Sequence, residues 1–365
     1  MRAARALCLA LSLAGSTLLA GCDTVGYYYQ SVSGHLSLMA QRESIDQVID
    51  NARQAHNDKL AKRLEDARSI RIYASRELGL PDNGSYRVYA NLKRPFAVWN
   101  VFAAPELSVK LKEWCFLIVG CVTYRGYYDR NAAMAYADTL RAQGLDVDVA
   151  GIPAYSTLGY FDDPLLNTFV GLPEGELARL IFHELAHQVV YAKGDTAFNE
   201  SFATAVETIG VERWLADAAT PEIRAEYATY DARRVQFRAL LLEYRNRLEA
   251  LYASPVSDDE KRAGKRAIFA SLQADYTKLK ASWGGYTGYD RWFAQPLSNA
   301  HLGAVASYLE WVPAFTALYH RDGGDWARFY DDVKAMARES KPQREAALRL
   351  LAPSAMGASE DIRQK

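Results

Sequence analysis

A helix that carries histidine, glutamate and histidine on one face constrains this chain more than any other feature. His183-Glu184-Leu185-Ala186-His187 sets two imidazoles four residues apart, about one helical turn. That spacing suits two nitrogen ligands of a single zinc ion, with the intervening glutamate able to reach a zinc-bound water. The string sits in a helical run, 174–191, where Leu177, Ile181 and Leu185 recur every fourth residue and Leu180 and Val189 add apolar bulk. A helix packed along that face carries its histidines into partly buried surroundings, where imidazoles need partners and a metal can serve two neutral ones. The alternative is a surface helix with two solvated histidines, and the apolar repeat speaks against it.

A third ligand has to come from elsewhere. A metzincin-type continuation needs Gly and a third His at places held here by Val190 and Lys193. Gly194 instead suggests a helix end, with Lys193 near the last carbonyls. Downstream, Asn199-Glu200-Ser201-Phe202-Ala203-Thr204-Ala205-Val206-Glu207 predicts a second helix over 199–215, antiparallel to the first (174–192), with Asn199 as its N-cap and Glu200 in its first turn. Glu200 is the candidate third ligand. Glu207, seven residues on, shares its face and is the right type to orient a ligand imidazole. The plainer readings are a glutamate favoured by the helix dipole for Glu200 and a surface charge for Glu207.

At these residues the chain resembles a known class. The run from His183 to Gln188, followed by Asn199-Glu200 with Ala203 and then Glu207, is similar to the gluzincin zinc peptidases. Trp114-Cys115, Gly120-Cys121-Val122, Tyr124-Arg125-Gly126-Tyr127, Ala154-Tyr155-Ser156-Thr157-Leu158-Gly159, Phe161-Asp162-Asp163-Pro164 and Phe198-Asn199-Glu200 resemble the bacterial lipoprotein family of predicted aminopeptidases. That resemblance implies a zinc metallopeptidase with one Zn2+ on His183, His187 and Glu200. Two departures stand out. Only twelve residues separate His187 from Glu200, fewer than in the large gluzincin aminopeptidases, and the chain has no Gly-x-Met-Glu-Asn segment of the kind that holds a substrate amine in them.

The expected chemistry follows from three protein ligands and one open position. Zinc lowers the pKa of a bound water toward about 7 and polarises the scissile carbonyl. Glu184 would take the proton and pass it to the leaving amine. A further donor is needed for the oxyanion. Tyr308, in the run 299–315, is the first candidate and Tyr155 the second. The stretch 147–159 reads as extended, and Tyr155 to Gly159 is the candidate strand or loop for pairing with a substrate backbone. Two rival readings are an envelope zinc endopeptidase and a non-catalytic, zinc-stabilised envelope scaffold.

Residues 1–21 read as a lipoprotein signal peptide: Arg2 and Arg5 precede an apolar core from Ala6 to Leu19, and Leu19-Ala20-Gly21-Cys22 resembles a lipobox. Cleavage before Cys22 and its acylation would anchor the protein in the bacterial envelope, facing the periplasm, and Asp23 hints at the inner membrane. Tyr27, Tyr28 and Tyr29 would sit at lipid headgroups or pack on the body. Export leaves Cys115 and Cys121 as a candidate disulfide. The formal charge is −1, and losing Arg2 and Arg5 leaves the mature chain near −3, with no basic patch, so nucleic acid is not an expected partner. The expected partners are a peptide or unfolded protein substrate and, through the anchor, a membrane.

Half of the residues are hydrophobic, enough for a sizeable core. The expected fold is α+β: a mostly helical, zincin-like catalytic core, a small mixed or antiparallel sheet and a long αα-hairpin lobe. Its parts are an N-terminal anchor and helices (22–80, with two helices over 36–78), a sheet plus the metal helices (81–217), a helical hairpin (218–285), a C-terminal helical part (286–352) and a flexible tail (353–365). Ser85 to Leu92, Phe96 to Phe102 and a cystine hairpin over 114–124 are the expected strands, with a helix over 130–143. The long hairpin pairs 220–251 with 257–282 around Pro255, and its Arg233, Arg234, Arg245 and Arg247 read as a solvated charged face.

Overall fold

The computed structural model describes residues 25–116, 119–154, 156–306 and 310–352. The leader, Cys22, Asp23, Tyr155, Tyr308 and the tail from Pro353 lie outside them. The chain is α+β and predominantly helical, with three small sheets. Helix α1 (25–39) leads into strand β1 (Arg42–Ser44) and helices α2 (Ile45–Gln54) and α3 (Asp58–Glu77). The expected pair of helices over 36–78 is therefore split differently: Arg42–Ser44 leaves the helical register to pair with Val88–Ala90, strand β2. Strand β2 also pairs in parallel with β8 (Leu165–Leu166).

The second sheet has the order β6 (Arg125–Tyr127), β3 (Val98–Pro105), β7 (Leu145–Ile152), all antiparallel. Strands β2 and β3 belong to different sheets. Strand β3 is buried along almost its whole length, because both of its faces are covered. Trp99, Val101 and Ala103 pack on helix α4 (Arg130–Arg141), while Phe102 and Ala104 meet Leu111 and Ala300. Strands β4 (Trp114–Phe116) and β5 (Gly120–Val122) form a hairpin closed by the Cys115–Cys121 disulfide. Tyr27 packs on the body here, stacked on Phe116, whereas Tyr29 is largely exposed.

Helices α5 (Glu174–Val189) and α6 (Thr196–Asp217) run through the centre of the main core. Their apolar residues face several partners at once, among them Tyr73 of α3 against Phe182 and the rings of α11 (Val312–Arg321) and α12 (Trp326–Arg338) around Phe202. Gly210 permits this closeness: a Cβ there would lie 2.8 Å from Leu78 and 3.2 Å from Phe182. Helix α13 (Lys341–Leu351) closes the chain against this core through Leu348.

Helices α7 (Pro221–Ala253) and α8 (Asp258–Ser282) form the long hairpin. Thr220 caps α7 with Pro221 at its first position, and Ser257 and Glu260 make a reciprocal capping box on α8. A separate cluster around Tyr244, Leu272 and Tyr276 holds the hairpin to α9 (Asp290–Phe293) and α10 (Asn299–Ala306).

Candidate metal centre

Helix α5 ends at Val189, earlier than its sequence suggests, because Val190 turns extended. The turn that follows is closed by one side chain. Asn199 donates to the Ala192 carbonyl at 2.9 Å and accepts from the Ala192 amide at 2.7 Å. Asn199 is thus a bridge inside α6 rather than its cap. The cap is Asp195, which accepts from the Phe198 amide and is held by Arg344 at 3.0 Å. With the cap moved back, Glu200 falls one turn into the helix, level with the two histidines. Gly194, at φ +77°, lets the turn meet the cystine hairpin, and its amide donates to the Val119 carbonyl at 3.1 Å.

His183, His187 and Glu200 converge. The two Nε2 atoms are 3.2 Å apart, and Glu200 Oε2 lies 3.4 Å from His183 Nε2 and 3.7 Å from His187 Nε2. Tetrahedral zinc with bonds of about 2.0–2.2 Å spaces its ligand atoms by about 3.3–3.6 Å, so the donor set fits that ion. The surrounding charges and burial shape the titration of these groups in the absence of an ion. Burial pushes His183 down, but Glu207 and Glu200 outweigh it and hold its pKa up to about 10. Burial takes His187 down to about 4. Burial opposes ionisation of Glu200, yet His187 and His183 keep it below the usual carboxylate range. Carboxylates set around two imidazoles make a place for a cation.

Glu207 Oε2 lies 2.9 Å from His183 Nδ1 and so fixes the other face of that ring. Its second oxygen accepts from Arg179 at 2.8 Å. Arg179 also pairs with Glu176, which in turn binds Arg234, itself paired with Asp231 and within 3.0 Å of the Tyr227 hydroxyl. A line of alternating charge therefore runs from the His183 imidazole to the long hairpin. Arg234 is not on a solvated face: its side chain is 14% exposed. Arg179 stands four residues before His183, on the same face of α5, and that spacing was the available signal for it. Nothing local marks Arg234, because tertiary packing alone brings α7 beside α5.

Glu184 is buried on the wall of a cavity of about 710 Å³ and has no hydrogen bond or ion pair among the described residues. Burial raises its pKa to about 7. The cavity lies between α1, the β3 sheet, the cystine hairpin and helices α5 to α7. Ser156 to Gly159 contribute a loop, not a strand. Leu158 and Gly159 both have positive φ, and Thr157 closes the turn by bonding Phe161 through its hydroxyl and Asp163 through its amide. Gln188 ties α5 to the same side of the cavity by donating to Ser85 Oγ, which also accepts from the Asp163 amide.

In a predominantly helical α+β chain, two histidines of one helix and a glutamate of the next are thus gathered at a cavity wall as a candidate metal site. The chain is a member of the family described as "Putative aminopeptidase", whose model matches residues 26–348. Membership suggests a peptidase. No curated protein matches the chain, and no solved structure matches it.

Proposed function

We propose that this protein is a zinc metallopeptidase of the gluzincin type, with His183, His187 and Glu200 as ligands and Glu184 as general base and acid. The observation that carries this reading is the convergence of three ligand atoms beside an unpaired carboxylate that faces the cavity. Nitrogen and carboxylate donors suit zinc. A zinc ion held there would polarise the scissile carbonyl and acidify the attacking water. Glu184, raised toward neutrality by its burial and without a partner among the described residues, accepts the proton and delivers it to the leaving nitrogen. Glu207 and Arg179 keep the His183 ring in one orientation during that transfer. We further propose that Cys22 is lipidated and holds the enzyme at the envelope, facing the periplasm. The first described residue, Val25, lies in α1 three positions after that cysteine.

The test is metal content and turnover of a peptide panel by the parent and by Glu184→Gln. The variant is expected to bind one zinc per chain and to lose turnover by about 10²- to 10⁴-fold. Parental turnover in that variant would remove Glu184 from the mechanism. Zinc binding by a parent that cuts no peptide would favour a scaffold.

A further inference from the structure

The charged residues of the cavity wall are unequally engaged. Among the described residues its acids are Glu184, Glu200 and Glu207, and all three belong to the metal centre. Its guanidiniums are Arg179 and Arg238. Arg179 is committed to Glu207 and Glu176. Arg238, one turn beyond Arg234 on α7, is partly buried and has neither a hydrogen bond nor an ion pair among the described residues. Burial of this guanidinium is costly; the Glu207 charge offsets part of that cost, while Arg179 and Arg234 nearby add like charge. The helix nevertheless aims it into the space where a substrate must lie. Among the described residues of this wall a protonated substrate amine would find no free carboxylate, since Glu200 and Glu207 face the histidines and Glu184 is needed for proton transfer.

We propose that Arg238 is a specificity-determining residue that binds a carboxylate of the peptide, either its C-terminus or an acidic side chain. This rests on the metallopeptidase reading for its substrate, but its first test is independent of turnover. Binding of tetra-alanine, its C-terminal amide, and an amidated tetrapeptide containing one glutamate is measured calorimetrically with full-length Glu184→Gln protein. The expected result is that one or both carboxylate peptides bind about 10- to 100-fold tighter than the plain amide. Which of them does so identifies the source of the carboxylate. Adding Arg238→Gln is expected to erase the difference, and Arg238→Lys to keep part of it. Arg247→Gln, on the exposed far part of the same helix, is the control and is expected to preserve it. Equal binding of all three peptides, or discrimination that survives Arg238→Gln, overturns the proposal. Discrimination by a parent protein that hydrolyses none of the peptides leaves the subsite standing and removes the peptidase.

Discussion

Helices α5 and α6 and helices α7 and α8 are both antiparallel pairs joined by short turns, yet they use polar residues in opposite ways. In the first pair nearly every surface is covered, and the buried polar set Glu184, His187, Asn199, Ser201, Thr204 and Glu207 sits among apolar neighbours. Burial obliges such groups to find partners, so almost every one can be read as a statement about structure or chemistry. In the second pair the buried residues are apolar or aromatic, Tyr227, Phe237, Leu241, Tyr244 and Leu248 on α7 and Leu272 and Tyr276 on α8, and exposed charges pair locally, as Arg247 does with Glu243. These pairs are exposed to water and carry little energy. The border between the two regimes runs through α7. Arg234 and Arg238 belong chemically to α5 and α6, whereas Arg247, about half exposed, belongs to solvent.

Glu207→Ala should have the largest effect, because it strips a buried guanidinium and a ligand imidazole of one partner together. Side-chain exposure of Glu207 is 3%, so water does not replace what is lost. The expected cost is about 3–5 kcal/mol in chemical denaturation, the range for breaking a buried ion pair. Zinc affinity should fall by about 10- to 100-fold, measured by competition with a chelator. Parental stability and affinity in this variant would mean that the charge line through Arg179 does not support the site, and the contrast between the helix pairs would lose its ground.

What the sequence made legible divides along the same border. That His183 and His187 share one helix face and Glu200 and Glu207 another was readable because helical periodicity is local: spacings of four and seven residues decide which side chains share a face. The long hairpin was readable because Thr220, Pro221, Ser257 and the turn at Pro255 are local signals as well. Strand β3 was harder. Covered on both faces, it loses the alternation that marks a half-buried strand, and its partners β6 and β7 are set by register rather than by sequence proximity. The role of Asn199 was misjudged because an asparagine before a helical run has two local uses, and Asp195 had already taken the cap. Arg234 and Arg238 carry no local mark that separates them from Arg247; only the packing of α7 on α5 does.

Asp163 offers a sharper test of the buried region, through pH. It is 1% exposed, and burial raises its pKa from 3.8 to about 6 although the Thr157 amide donates to it and pulls the other way. A carboxyl whose folded pKa lies above its unfolded value stabilises the fold in its protonated form, and that contribution is lost as pH rises from about 4 to about 6. Asp163→Asn keeps the shape and removes the titration. The stability of the variant relative to the parent should therefore be most favourable above pH 6 and decline by about 1–3 kcal/mol on going down to pH 4, measured by urea unfolding at each pH. A difference independent of pH would show that Asp163 is hydrated, and that the loop lining the cavity is more open than its hydrogen bonds imply.

The smallest effect is expected at Arg247, and its size measures the other half of the comparison. Arg247 pairs with Glu243 one turn away, is about half exposed, and lies over the Tyr244 ring at 4.5 Å. An exposed pair and an exposed cation–π contact together should cost no more than about 1 kcal/mol on Arg247→Ala, and most of that should vanish at high salt if the ion pair supplies it. Arg234→Ala, on the same helix with the same residue type, should cost more and respond less to salt, because Glu176 and Asp231 hold its guanidinium away from water. Denaturant titrations of the two variants at low and high ionic strength read both quantities. Equal costs would mean that burial along α7 does not grade the worth of its arginines, and Arg238 would then be no more than another solvated charge.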